Sequence, residues 1–152
     1  MSASADSASN SAVLLEIEGV RREFDDGHVL ALRGVSLRIQ EGEFVAIIGS
    51  SGSGKSTLLN LLGALDVPDG GEIRFRGEPV AKLANPARFR AQNIGFIFQS
   101  FHLLPTLTAL ENVQVPMFEM SWPVRERQRR ARELLEAVGM SHRLDHLPAK
   151  LS

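Results

Sequence analysis

The sequence predicts an α/β fold organised around a phosphate-binding loop, on three observations. The stretch Gly49-Ser50-Ser51-Gly52-Ser53-Gly54-Lys55-Ser56-Thr57 fits the spacing G-x-x-x-x-G-K-[ST]. A wholly apolar run, 44–48, stands directly before it. An apolar helical pattern over 58–65 comes directly after it. Strand, glycine loop and helix in that order are the context a phosphate-binding loop needs.

The chemistry comes from these residue types. Gly49, Gly52 and Gly54 allow backbone angles that a side chain would forbid. The loop can therefore turn successive N–H groups inward around an anion. A helix starting near Lys55 adds the positive end of its dipole. Lys55 reaches the terminal phosphates as a point charge, Ser56 offers a hydroxyl to Mg²⁺, and Thr57 supports the helix start. A flexible Gly/Ser linker has the same composition, but linkers do not sit between an apolar strand and an apolar helix.

Composition bounds the remaining possibilities. At 152 residues the chain fits one domain with a real core, and 43% hydrophobic with 23% charged residues is ordinary for a globular protein. A net charge of -1 gives no footprint of a nucleic-acid binder. With no cysteine, disulfides and thiolate metal sites are excluded. No apolar stretch approaches membrane-spanning length, so a membrane connection would run through a partner.

In chain order, residues 1–12 are almost all Ser and Ala and read as a disordered tail. Leu15 and Ile17 alternate with Glu16 and Glu18 in a half-buried strand that runs toward Phe24. Phe24 has the opposite parity to Leu15 and Ile17, which puts it on the other face of a regular strand. Two readings fit: an exposed ring that stacks on adenine, or a packing residue before a turn. Asp25-Asp26-Gly27 is that turn. Val35, Leu37 and Ile39 alternate again, and 44–48 is apolar on both faces, as in a central parallel strand.

After the loop helix, which the spacing of Leu58, Leu61, Leu62 and Leu65 carries to about residue 65, the cluster 66–71 is a turn. The same spacing argues against reading 62–66 as a strand ending in a metal-binding Asp66. Ile73 and Phe75 mark another strand. Asn85-Pro86 starts a short helix that carries Arg88 and Arg90 toward solvent. The run 94–98 is a second apolar strand, ended by Gln99. A glutamine there is either a plain polar residue or a ligand-site group, since open α/β sheets bind ligands at the carboxyl ends of their strands. Thr108-x-x-Glu111 is a capping box. A last helix, from about Val124 to Gly139, has an apolar face of Ala131, Leu134, Leu135 and Val138. Its other face carries i,i+4 pairs Glu126–Arg130, Arg129–Glu133 and Arg132–Glu136, a solvated face and not a nucleic-acid surface.

Residues 42–60, Gly-Glu-Phe-Val-Ala-Ile-Ile-Gly-Ser-Ser-Gly-Ser-Gly-Lys-Ser-Thr-Leu-Leu-Asn, resemble the ATP-binding subunits of ABC transporters. So do residues 94–99 together with 101–113, Phe-His-Leu-Leu-Pro-Thr-Leu-Thr-Ala-Leu-Glu-Asn-Val, and these point to the lipoprotein-releasing and macrolide-export branch. The resemblance covers Leu14 to Ser152. It implies a P-loop NTPase of the ABC type, a mixed or parallel core sheet with an antiparallel part and the start of a helical subdomain. It places the antiparallel part and P-loop core in 13–99 and the Q-loop and helical subdomain in 100–152. By it, Gln99 resembles the Q-loop glutamine, a Mg²⁺ ligand beside Ser56, and Phe24 matches the adenine-stacking aromatic, usually a tyrosine. Phe101, Leu103, Leu104 and Leu107 become contacts to a membrane permease, with ordinary core packing as the other reading.

Leu151-Ser152 resembles the first two residues of the family's Leu-Ser-Gly-Gly-Gln signature. The Walker B aspartate, catalytic glutamate and switch histidine lie downstream of it in this family, and His102, His142 and His146 do not come after a Walker-B-like strand. The expectation is therefore an incomplete ATP-binding domain with no catalytic residue before Ser152, not competent for hydrolysis alone. The parent protein is expected to be an ATPase that uses ATP and Mg²⁺. It would act as a homodimer docked on an integral permease at the cytoplasmic face of the inner or plasma membrane, in export or lipoprotein release. An ABC-type ATPase of cell division or another non-transport process, or a non-catalytic ATP-binding fragment, is the alternative. The transported substrate is not encoded in these residues.

Overall fold

A computed structural model describes residues 12–151. The tail expected over 1–12 lies, apart from Ala12, outside the described residues, as does Ser152. The chain divides into two compact units, Met1–Pro86 and Ala87–Ser152. The division at Pro86 falls inside the stretch that the resemblance assigns to the nucleotide-binding core.

In the first unit, β1 (Val13–Phe24) and β2 (Val29–Gln40) form a long hairpin. Its turn is built from Asp25, Asp26 and Gly27, all at positive φ, and is closed by the His28 N–H on the Asp25 carbonyl at 3.0 Å. β3 (Gly70–Phe75) pairs antiparallel with β1, and the two-residue β4 (Glu78–Pro79) pairs antiparallel with β3, giving the order β2-β1-β3-β4. Helix α1 (Lys55–Leu62) packs on this sheet. Ile17, Val20, Leu32 and Ile73 from the strands meet Leu58, Leu61 and Leu62 from the helix. Each such fully buried aliphatic side chain contributes about 1.5–3 kcal/mol.

The alternation along β1 does not carry across Gly19. Ile17 and Val20 are both buried in the same core, with a register shift between them and Gly19 at φ 57°. The bulge inserts a residue and reverses the parity of the rest of the strand. Phe24 therefore has the parity of Val20, which shares the core with Ile17, and not the opposite face that a regular strand would give it. Helix α1 also stops short of Leu65. Gly63 caps it and Ala64 turns at φ 53°, leaving Leu65 exposed. The 62–66 segment is not a strand, and Asp66 is held by Arg22.

Two expected strands are not formed. Residues 44–48 and 94–98 carry no sheet pairing, and among the described residues every paired strand is antiparallel. Phe44 is 95%, Ile48 90% and Ile97 101% exposed. Their apolar character suits burial on both faces, but a strand gains that burial only within a sheet whose two faces other layers cover. Neither run is held in a sheet here.

The second unit holds α2 (Pro86–Asn93), which begins at Pro86, the last residue of the first unit, α3 (Ala109–Gln114) and α4 (Val124–Ala137). Arg88 is exposed on α2, while Arg90 is half-buried and not directed simply to solvent. Its core joins Ala109, Leu110 and Met117 to Ala131 and Leu135. Leu134 and Val138, expected on that buried face, are exposed. Arg129 bonds both Glu126 and Glu133, and Arg130 reaches Glu133 at 3.5 Å. The i,i+4 partner expected for Glu126, Arg130, is thus replaced by Arg129 one turn on at i,i+3. No helix among the described residues is long and apolar enough to cross a membrane.

Candidate functional site

The glycine-rich loop leads into α1 through Gly54, whose left-handed backbone at φ 87° forms the helix N-cap. A Cβ at Gly54 would lie 2.5 Å from the Ala31 carbonyl oxygen and 2.9 Å from Leu32 Cδ2. Glycine is thus required twice, for the backbone angle and for close approach to β2. Gly52 is also left-handed, at φ 77°. The Ser53 N–H donates to the Ser50 carbonyl at 3.3 Å and tightens the loop. The first turn of α1 presents N–H groups without intrahelical acceptors, as every helix start does.

Lys55 closes the loop on itself. Its ammonium donates to the carbonyls of Gly49 at 2.9 Å and Ser50 at 2.7 Å, and lies 3.4 Å from Ser53 Oγ. The charge is thereby held against the loop that precedes it. Ser51, Gly52, Ser53, Gly54, Lys55, Ser56 and Thr57 line one side of a cleft of about 390 Å³. Phe24, Val29, Leu30 and Ala31 line the other. That volume lies within the ~300–1,000 Å³ typical of small-molecule sites. Phe24 is 40% exposed in its wall.

The groups behind that ring are not marked in the sequence. The Arg22 guanidinium sits over Phe24, 5.0 Å from the ring centroid. It grips Asp66 with two bonds, Nε to Oδ2 at 2.9 Å and Nη2 to Oδ1 at 3.0 Å. Its Nη1 donates to Asp69 Oδ1 at 2.9 Å, and Asp69 Oδ2 accepts the Glu23 N–H at 2.7 Å. No local sequence signal marks these partners.

In the second unit, Gln99 lies in an exposed bend after the unpaired run 94–98. Phe101, Leu103 and Leu104 are exposed and Leu107 is half-buried. Leu103 lines an apolar groove of about 230 Å³ with Ala109, Val113, Leu135, Met140 and Leu151. Asn112, a further residue not singled out from sequence, anchors the preceding loop. Its Oδ1 accepts the Leu104 N–H at 2.8 Å, and its Nδ2 donates to the carbonyls of Leu107 at 2.9 Å, Thr108 at 3.0 Å and Leu104 at 3.1 Å. The expected capping box is formed: the Glu111 N–H donates to Thr108 Oγ1 at 3.2 Å, and Glu111 Oε2 accepts the Thr108 N–H at 2.8 Å. The bonds from the Thr108 backbone and hydroxyl hold the Glu111 carboxyl below its ordinary value. Among the described residues no three His, Asp or Glu side chains group to hold a metal.

A glycine loop that caps a helix and shares a cleft with an aromatic ring defines a nucleotide-binding domain of the P-loop class. The family is more particular. The family model described as ABC transporter matches residues 32–152, and the chain belongs to that family. It is 52% identical over 143 residues to an uncharacterized ABC transporter ATP-binding protein of Thermotoga maritima, covering 91% of this chain and 61% of that protein. It is 50% identical over 143 residues to the macrolide export ATP-binding/permease protein MacB of Sodalis glossinidius, covering 91% of this chain and 22% of that protein. Among solved structures, the ATP-binding cassette MJ0796, a dimer in a post-hydrolysis state bound to ADP and Pi, superposes with a TM-score of 0.80 at 39% identity. That match covers 91% of this chain and 63% of the cassette. The chain thus spans less than two thirds of the length of these relatives.

Proposed function

We propose that the first unit binds MgATP, with the triphosphate in the loop 49–57 and the adenine on Phe24, as part of an ABC-type ATPase. One observation carries this reading: a single cleft has Phe24 on one wall and Ser51–Thr57 on the other. Stacking on the ring is worth ~1–3 kcal/mol per base and does not read the base edges. Lys55 would exchange its bonds to the Gly49 and Ser50 carbonyls for phosphate oxygens. The exposed Ser56 hydroxyl is a hard oxygen donor of the kind that suits Mg²⁺, which takes most of its remaining ligands from phosphates and water. Gln99 is proposed as a second oxygen donor on the strength of the family resemblance.

Hydrolysis of a phosphoanhydride is largely a matter of positioning and charge stabilisation. The residues described supply the positioning: backbone N–H groups, one ammonium and one hydroxyl. In the whole protein, two such subunits would work as a homodimer, as the dimeric cassette MJ0796 supports. The likeness to MacB, a macrolide export ATP-binding/permease protein, supports coupling of hydrolysis to export through a membrane permease. Lipoprotein release as the alternative process, and a subunit peripheral to the cytoplasmic face, are proposed on the family resemblance alone. Phe101, Leu103, Leu104 and Leu107 are the surface proposed to meet that permease.

The test of the site is calorimetric titration of the chain with MgATP and with inorganic triphosphate. ATP is expected to bind more tightly than triphosphate, and Phe24→Ala is expected to remove that difference. Equal affinities for the two ligands in the unmutated chain would overturn the placement of adenine.

A further inference from the structure

We propose that Arg22, clamped by Asp66 and Asp69, is a positioning residue for nucleotide binding: it backs the Phe24 ring so that the base stacks as the third layer of an Arg22–Phe24–adenine sandwich. The inference rests on the reading that adenine stacks on Phe24.

The geometry separates the two faces of the ring. The guanidinium covers one, at 5.0 Å from the centroid. Phe24 lines the cleft and Arg22 is not among the residues that do. A planar cation over an aromatic face is a favourable arrangement, and it favours arginine over lysine because the guanidinium stacks flat. The cation would not hold the ring in place if it were free to swing. It is not free: three of its nitrogens are bonded to two carboxylates, and its side chain is only 20% exposed.

The clamp also fixes a distance. Asp66 and Asp69 lie in the turn just beyond the C-terminal end of α1, while the phosphate loop feeds its N-terminal end. Eight helical residues span ~12 Å. Through Arg22, the ring at the end of β1 is tied to one end of this short rod and the phosphate loop to the other. The separation of base platform and phosphate cradle is then constrained by the helix as well as by the close approach of Gly54 to β2. The charges agree with this division: two carboxylates against one guanidinium leave a net negative clamp, which suits the base end of a nucleotide and not the phosphate end.

The experiment measures affinity for MgATP and for inorganic triphosphate by calorimetry on the chain and its Arg22→Lys, Asp69→Asn and Phe24→Ala variants. Arg22→Lys keeps the charge and loses the bidentate grip and the flat face. It is expected to weaken ATP roughly three- to tenfold and triphosphate less than about twofold. Asp69→Asn, at a more exposed carboxylate, is expected to act in the same direction and serves if Arg22→Lys lowers the folded fraction in circular dichroism. In the Phe24→Ala background, Arg22→Lys is expected to have no further effect on ATP. A selective loss in Phe24→Ala without one in Arg22→Lys or Asp69→Asn overturns the positioning role alone. Equal weakening of both ligands by Arg22→Lys assigns Arg22 to the fold and also overturns it. No selective loss in Phe24→Ala overturns the stacking reading and the inference with it.

Discussion

Lys55 Nζ donates to the carbonyl oxygen of Ser50 at 2.7 Å, so the cation proposed for the phosphates is bonded to its own loop. It holds the loop and offers its charge at the same place. Lys55→Ala is therefore expected to lower ATP affinity tenfold or more, since a hydrogen bond to a charged group is worth ~1.5–3 kcal/mol. It should also raise amide exchange across 49–54, because the bonds to Gly49 and Ser50 go with the side chain. Unchanged affinity in an equilibrium titration would contradict the assignment.

Phe24→Tyr keeps the stacking face and adds a hydroxyl to an exposed ring. ATP affinity is expected to stay within about twofold of the unmutated chain, while Phe24→Ala loses the ~1–3 kcal/mol of stacking. If the tyrosine variant binds ATP as poorly as the alanine variant, ring edge and not ring face governs the contact.

Gly54→Ala is expected to damage the fold as well as the site. The added methyl meets the Ala31 carbonyl oxygen at 2.5 Å, and the backbone sits at φ 87°. Strain of this kind costs on the order of 1–3 kcal/mol. Thermal unfolding should show a lowered midpoint for Gly54→Ala. Gly77→Ala, also at positive φ but with nothing within 4 Å of the added methyl, should show a smaller loss. Equal losses at the two positions would remove the contact with β2 from the explanation.

The P-loop, β1, β2, β3, the start of α2 and the capping box of α3 were all legible in the sequence, because each is encoded by residues within one turn or one strand. The features that were not legible depend on distant partners. Arg22 reads as one arginine among many until the chain brings Asp66 and Asp69, forty-four and forty-seven residues on, to its nitrogens. Runs 44–48 and 94–98 announce a need for burial, but composition does not say which elements must supply it. The bulge at Gly19 hid the side on which Phe24 falls, since period-two counting has no term for an inserted residue.

Asn112→Ala should loosen the loop before α3. The variant leaves the Leu104 N–H and the Leu107 carbonyl without their side-chain partners. Faster amide exchange over 103–108, with a stability loss of about 0.5–1.5 kcal/mol per lost bond, is the expected result. Exchange unchanged over that stretch would show that α3 holds the loop by other means.

Acid should weaken the α3 cap before it affects the rest of the helix. The Glu111 carboxyl titrates below its ordinary value of 4.5 because Thr108 bonds its charged form. A group lowered on folding contributes stability that is complete above the unfolded value and is lost as pH falls through the folded one. The stability difference between the chain and Glu111→Gln is therefore expected to be constant above about pH 5. It should shrink progressively below pH 4.5. A difference that stays constant down to pH 3 would mean the cap does not depend on that charge.

The core of the first unit is built from Ile17, Val20, Leu32, Leu58, Leu61, Leu62 and Ile73, with Val80 packed against it. β1 and β2 pair across a short turn, while β3 returns to β1 from more than forty residues on, as at Ile17↔Ile73. The hairpin is the local part of the core, and closing β3 onto it completes the sheet. A nascent chain that has released about eighty residues from a ribosome already holds everything this core requires. The phosphate loop lies between β2 and β3, so the grip on nucleotide would be in place while the second unit is still being synthesised. ATP in the surrounding medium could then act as an early ligand of the growing polypeptide, stabilising its first half by mass action before translation ends.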